Sequence, residues 1–85
     1  MTEITIEDDH NLVNLIKIPF HVTELYLENC QNLRDIRALS KLFQLQSLLI
    51  KNCLNVTSFE VFYKVQFCNL SSLSIVGDED NRLII

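Results

Sequence analysis

The chain has 85 residues, of which 48% are hydrophobic and 21% charged, and its formal charge is −4. This length and apolar content predict a single folded domain, residues 1–85, and exclude a disordered tail. The acidic balance disfavours direct binding to nucleic-acid phosphates, and the lack of a long apolar run disfavours a membrane span. With an acidic start unlike a signal peptide, the sequence predicts a cytoplasmic or nuclear protein.

Four six-residue strings share one pattern, in which two apolar residues alternate with variable ones and a small polar or thiol residue closes the string. They are ITIEDD (4–9), LYLENC (25–30), LLIKNC (48–53) and LSIVGD (73–78). An apolar residue precedes each string by three places, and these residues give periods of 21, 23 and 25: Met1, Val22, Leu45 and Leu70. Alternation with period two favours strands at about 3–7, 24–28, 47–51 and 72–76, and a repeat of this length predicts a solenoid.

The three segments between the predicted strands differ from one another. Pro19 in LIKIPF forbids a regular helix there, so the first return is expected to be irregular. The second, LRDIRALSKLF, has apolar residues at 33, 36, 39 and 42 and predicts one or two helical turns. The third, TSFEVFYKVQF, is compatible with either a helix or an extended segment. The second return alone would also permit an all-helical bundle, which the period-two strings disfavour.

Two longer stretches, VTELYLENCQNL and LQSLLIKNCLNV, fit the pattern L-x-x-L-x-L-x-x-N/C-x-L up to its N/C position, and the closing apolar residue, Leu33 or Val56, follows one place later. The chain therefore resembles the leucine-rich-repeat family. The first and fourth strings depart from it, because Asp9 and Asp78 replace Asn or Cys and Asn81 replaces an apolar residue. The resemblance implies an α/β fold: a short leucine-rich-repeat solenoid of about 3.5–4 repeats, with a parallel β-sheet on the concave face and short helical or irregular returns on the convex face.

The repeat also predicts which side chains are buried. The expected core positions are Leu25, Leu27, Ile36, Leu48, Ile50, Phe59, Leu73 and Ile75. Cys30 and Cys53 share one repeat position, so stacking brings them close enough for a disulfide or a metal pair. The resemblance implies instead that both thiols point inward and satisfy backbone groups of the turns. Cys68 falls in a connecting turn.

Alternation along the strands identifies a candidate binding face. If Leu25 and Leu27 point to the core, the side chains between and beside them point to the concave surface. The predicted partner-binding residues are Glu3, Glu7, Glu24, Tyr26, Glu28, Leu49 and Lys51. An aromatic and an aliphatic anchor inside a charged rim is typical of a binding hot spot, here for a protein with a basic or basic-apolar segment. The alternative is that the Glu residues only keep the sheet soluble.

Catalytic motifs find little support in the sequence. It has no Ser/His/Asp arrangement, no H-E-x-x-H and no Gly-rich phosphate loop. The cluster of Asp8, Asp9 and His10 would suit a metal-dependent hydrolase, but it is read more simply as a turn residue, Asp9, between two solvated ones. We therefore predict no enzyme activity, no cofactor and no metal site.

The predicted function is a non-catalytic protein-protein interaction module, an adaptor or a small subunit. The alternative is a structural subunit of a large assembly, for example a ribonucleoprotein or ciliary complex, held by its ends and by convex-side residues such as Arg34, Arg37 and Lys41. The apolar residues 83–85 are expected to be covered by a second copy or by a larger assembly.

Overall fold

A computed structural model describes residues 2–64, 67, 69–77 and 82–83 of the chain. Its elements in chain order are β1 (Glu3–Glu7), β2 (Glu24–Glu28), a 3₁₀ helix (Arg37–Lys41), β3 (Ser47–Lys51), α1 (Val61–Lys64), β4 (Ser72–Val76) and β5 (Arg82–Leu83). The fold is of α/β type, with little helix and most of its regular structure in one sheet. The four predicted strands are confirmed.

The sheet follows the chain, with the strand order β1-β2-β3-β4-β5. The first four strands are parallel, and their register aligns Glu3, Glu24, Ser47 and Ser72, which are 21, 23 and 25 residues apart. The three predicted periods therefore separate equivalent positions on neighbouring strands. Side chains at one pattern position form a column that crosses the sheet.

One face of the sheet packs on the core, and its burial is deepest at β2 and β3. Leu25 and Leu27 are 0% exposed and Leu48 is 1% exposed, whereas Ile4 and Ile6 on β1 are only partly buried. Of the eight predicted core residues, Phe59 and Leu73 are partly buried and pack against the core, and the other six are buried. Complete burial of a leucine stabilises the fold by about 1.5–3 kcal/mol.

The first return, residues 8–23, contains neither a helix nor a strand, as predicted. The carbonyl of Pro19 accepts a hydrogen bond from the Val22 N–H at 3.2 Å, and the carbonyl of Leu42 accepts the equivalent bond from Leu45 at 3.1 Å. Farther upstream, the Ile18 N–H donates to the Leu15 carbonyl in the first return, and the Leu39 N–H donates to the Ile36 carbonyl at the equivalent place in the second. The second repeat is two residues longer than the first. These two residues therefore lie between positions 39 and 42, within the 3₁₀ helix.

The second and third returns are helical over about one turn each. The Asp35 carboxylate accepts a hydrogen bond from the Arg37 N–H at 2.9 Å, which satisfies a donor at the start of the 3₁₀ helix. In the third return, α1 buries Val61, and the Phe62 ring lies between Phe59 and Phe67 with centroid distances of 6.4 and 5.7 Å. Helical turns in the second return are confirmed, and the third takes the helical alternative.

Left-handed backbone conformations follow the first three strands. Asp8, Asn29 and Asn52 have φ angles of 58°, 56° and 56°. Asn and Asp adopt this conformation at less cost than other residues that carry a Cβ atom. The next turn positions are tied together as well, since the Asn32 amide donates to the His10 carbonyl at 2.6 Å and the Asn55 amide donates to the Gln31 carbonyl at 2.5 Å.

The end of the sheet differs from the repeat pattern. β5 runs antiparallel to β4 and pairs Leu83 with Ile75 and Arg82 with Val76. The pattern does not predict this strand. Ile84, Ile85, Asp78 and Asn81 lie outside the described residues, as do Met1 and Cys68, so a covered apolar end stays a prediction.

Candidate functional site

The seven predicted partner-binding residues lie together on the open face of the sheet. The open face consists of the residues of β1 to β4 that alternate with the core residues. They are Glu3, Thr5, Glu7, Glu24, Tyr26, Glu28, Ser47, Leu49, Lys51, Ser72, Ser74 and Val76. All twelve are exposed or half-buried. The structure thus brings the predicted residues together on one surface.

Four glutamates occupy two neighbouring strands of this face, and we call them the carboxylate block: Glu3, Glu7, Glu24 and Glu28. Glu3 lies directly beside Glu24, and Glu7 directly beside Glu28. The Lys51 ammonium lies 3.6 Å from the Glu28 carboxylate. One positive charge therefore offsets part of the block, and the surface keeps a clear negative excess that attracts cationic groups.

Tyr26 and Leu49 are direct neighbours across β2 and β3 at the middle of the open face. Desolvation, and then the negative charges of Glu24 and Glu3, raise the pKa of the Tyr26 hydroxyl above its ordinary value. The hydroxyl is therefore a neutral hydrogen-bond donor and acceptor at physiological pH. A half-buried ring with a polar end, beside an aliphatic side chain, can take both apolar and polar groups of a partner.

A second apolar surface, which the repeat pattern does not predict, is formed by two phenylalanines. The Phe20 and Phe43 rings are 60% and 61% exposed and stack with centroids 6.1 Å apart and planes 22° apart. The His21 ring lies edge-on to Phe20 at 5.7 Å. The sequence holds one sign of this surface: Phe20 and Phe43 each stand two residues before the first apolar residue of a repeat, Val22 or Leu45. We call Phe20 and Phe43 the aromatic pair.

The Asp8, Asp9 and His10 cluster does not converge on a common point. The Asp9 carboxylate accepts a hydrogen bond from the Asn11 N–H at 2.9 Å, while Asp8 and His10 are exposed. Asp9 therefore serves the turn, as predicted. Among the described residues, no group of three His, Cys, Asp or Glu side chains is placed to hold a metal ion.

Cys30 and Cys53 are buried free thiols, and their sulfurs point to carbonyls at the ends of the strands and not to turn residues. The Cys30 sulfur contacts the Ile6 and Glu28 carbonyls at 3.7 and 3.6 Å, and the Cys53 sulfur contacts the Lys51 carbonyl at 3.5 Å. Desolvation raises the pKa of Cys53 to about 11. Because the thiolate is the reactive form, this thiol is a poor nucleophile and a poor metal ligand near neutral pH.

The opposite side of the molecule, formed by the returns, is more basic. Arg34, Arg37 and Lys41 are exposed there. Arg37 and Lys41 border an open cavity of about 290 Å³, whose full lining is Asn14, Ile16, Asp35, Arg37, Ala38, Ser40 and Lys41. The Arg37 guanidinium lies 2.7 Å from Asp35 and holds the pKa of that carboxyl at about 2. The Asp35 carboxylate thereby offsets much of the Arg37 charge.

Comparison of the chain with family models, curated proteins and solved structures gave no match. No helix within the described ranges is both long and apolar enough to cross a membrane. What the open face does is therefore inferred from its own residues.

Proposed function

We propose that the chain is a short leucine-rich-repeat module that binds a basic or basic-apolar segment of a protein partner on the open face, which is the concave face of the solenoid, and that it performs no catalysis. Its place would be an adaptor or a small subunit in the cytoplasm or nucleus. The repeat assignment is supported by parallel strands that share one register and by inward thiols at the position where the family carries Asn or Cys.

The carboxylate block is the observation that carries the binding proposal. Like charges placed directly beside each other on neighbouring strands destabilise a sheet. Glu3 beside Glu24 and Glu7 beside Glu28 are two such pairs. Residues that work against stability are expected where function requires them, and a cationic partner segment would relieve the repulsion. Tyr26 and Leu49 lie next to the block and offer the apolar contact that charge alone does not supply.

A second function has some support on the return side. There the protein would be held in a larger assembly as a structural subunit, and the glutamates would serve solubility alone. The cavity beside Arg37 and Lys41 favours this function, since it offers a recess on that side. The Asp35–Arg37 ion pair counts against it, because it reduces the charge available to a partner.

Affinity purification at low salt, followed by mass spectrometry, separates the two functions when three proteins are compared. These are the wild type, an open-face variant (Tyr26→Ala) and a return-side variant (Arg34→Ala with Lys41→Ala). We expect the open-face variant alone to lose the captured partner. If Tyr26 is a hot spot, its truncation costs about 2 kcal/mol or more and acts mainly on the dissociation rate.

The charges of the open face are tested on the purified complex. Glu24→Lys with Glu28→Lys is expected to slow association and to flatten its dependence on salt, because steering by the carboxylate block is lost. Intact binding in both open-face variants, together with loss in the return-side variant, would replace this function by the structural one.

A further inference from the structure

The aromatic pair lies just before the two strands that carry Tyr26 and Leu49. Tyr26 lies on β2 and Leu49 on β3, while Phe20 precedes the start of β2 by four residues and Phe43 precedes the start of β3 by four. We propose that the aromatic pair is a second anchor for the partner segment, which runs along β2 and β3 and passes over the edge where these strands begin. This inference rests on the proposed function and specifies the partner's direction and spacing.

The aromatic pair is poorly explained by the stability of the fold. Its rings are more than half exposed, while the residues that close the same turns, Val22 and Leu45, are 0% and 1% exposed. Single exposed apolar residues are ordinary, but two stacked phenylalanines at one repeat position form a contiguous apolar patch. Aromatic side chains have only two χ angles, so they lose little conformational entropy on binding.

The residues between the aromatic pair and Tyr26 indicate the chemistry of the partner segment. Glu24 stands between Phe20 and Tyr26 in the chain, and Glu3 is its neighbour on β1. A segment that crosses this region therefore meets carboxylates, which favour Lys or Arg in the partner. The surface thus selects a segment with an apolar residue at each end and basic residues in the middle.

The spacing of the anchors sets the spacing of the partner's apolar residues. Phe20 and Tyr26 are six residues apart, as are Phe43 and Leu49. At about 3.3 Å per residue, an extended chain of that length spans at most ~20 Å. The turns at Pro19–Val22 and Leu42–Leu45 shorten this distance. An extended partner segment lying along the strands then places its two apolar side chains no more than about six residues apart.

A phage-displayed library of random 16-residue peptides, selected on the immobilised wild-type protein, supplies a defined probe. The selected peptides are synthesised with a fluorescent label, and their dissociation constants are measured by anisotropy. The test variant is Phe20→Ala with Phe43→Ala, and Tyr26→Ala reports on the open face. Tyr63→Ala is the matched control, because Tyr63 is an aromatic residue of α1 that is 80% exposed. Circular dichroism verifies that each variant is folded.

We expect basic peptides with two apolar residues at the stated spacing, and about tenfold or greater weakening in the aromatic-pair variant and in Tyr26→Ala, but not in Tyr63→Ala. If Tyr26→Ala weakens binding and the aromatic-pair variant does not, the second anchor is wrong and the proposed function stands. If no peptide is enriched, or if neither variant matters, both proposals are overturned.

Discussion

The side-chain amide of Asn29 donates a hydrogen bond to the Asp8 carboxylate on the preceding repeat, with 3.0 Å between Nδ2 and Oδ1. Asn29 in turn accepts a hydrogen bond from the Asn52 amide of the following repeat. All three residues have left-handed backbone conformations. The turns after successive strands are thus joined by a polar ladder, in which each of the three residues has the left-handed conformation and takes part in a lateral hydrogen bond.

Replacing Asn29 separates these two contributions. Asn29→Ala is expected to lower the free energy of unfolding by about 1–3 kcal/mol, because it loses the ladder bonds and places an ordinary Cβ in a left-handed conformation. Asn29→Gly loses only the bonds and should be more stable than the Ala variant by about 1 kcal/mol. Urea unfolding measures both. Equal stability of the two variants would show that the backbone conformation is unimportant here.

Core truncation is expected to have a much larger effect than truncation of an exposed leucine. Leu27 is 0% exposed, so Leu27→Ala should cost about 2–5 kcal/mol, which is a large part of the stability of a small domain. Leu54 is 52% exposed and provides the matched control, with an expected cost below about 1 kcal/mol. Similar urea midpoints for the two variants would contradict the assigned core.

The raised pKa of the Cys53 thiol is expected to lower the stability of the protein at alkaline pH. Its pKa rises from 9.0 to about 11 in the folded protein, so the folded state holds the proton more tightly than the unfolded state. The contribution of this thiol to the free energy of unfolding is complete below pH 9 and is lost as the pH rises through 11. It amounts to about 2–3 kcal/mol at most.

Unfolding free energies of the wild type and of Cys53→Ala between pH 8 and pH 11 test this prediction. Tyr and Lys titrate in both proteins, so the difference between the two curves isolates the thiol. We expect the wild type to lose more stability than the variant over this interval. Parallel curves would exclude the shifted thiol.

Asp35 should matter more to stability than its ion-pair partner. The side chain of Arg37 is 88% exposed, and exposed ion pairs contribute little. The Asp35 carboxylate also accepts the Arg37 backbone N–H. Asp35→Ala should therefore lower the urea midpoint more than Arg37→Ala does, and the reverse order would show that the bond to the Arg37 N–H contributes little.

The same carboxylate gives a pH dependence at the acidic end. The pKa of Asp35 is lowered from 3.8 to about 2 in the folded protein. The contribution of this carboxylate to the free energy of unfolding is therefore present above pH 3.8 and is lost as the pH falls through 2.

The strands and the candidate face could be predicted because their signals are local and repeated. Alternation around Leu25 and Leu27 fixes which side chains leave the core, and the pairing of Tyr26 with Leu49 then follows from the repeat spacing. The aromatic pair escaped prediction because an exposed Phe and a core Phe are identical in a sequence pattern. β5 escaped it because antiparallel pairing of Leu83 with Ile75 requires a chain reversal that the repeat does not encode.

The two residues added between positions 39 and 42 show where this chain can change its length. They lengthen a return and leave the alignment of Glu24 with Ser47 intact. A single residue added inside β3 would instead move each following side chain to the other face of the sheet. Insertions of affinity tags or fluorescent labels should therefore be tolerated near Ser40, and they would leave the carboxylate block in register and Tyr26 beside Leu49.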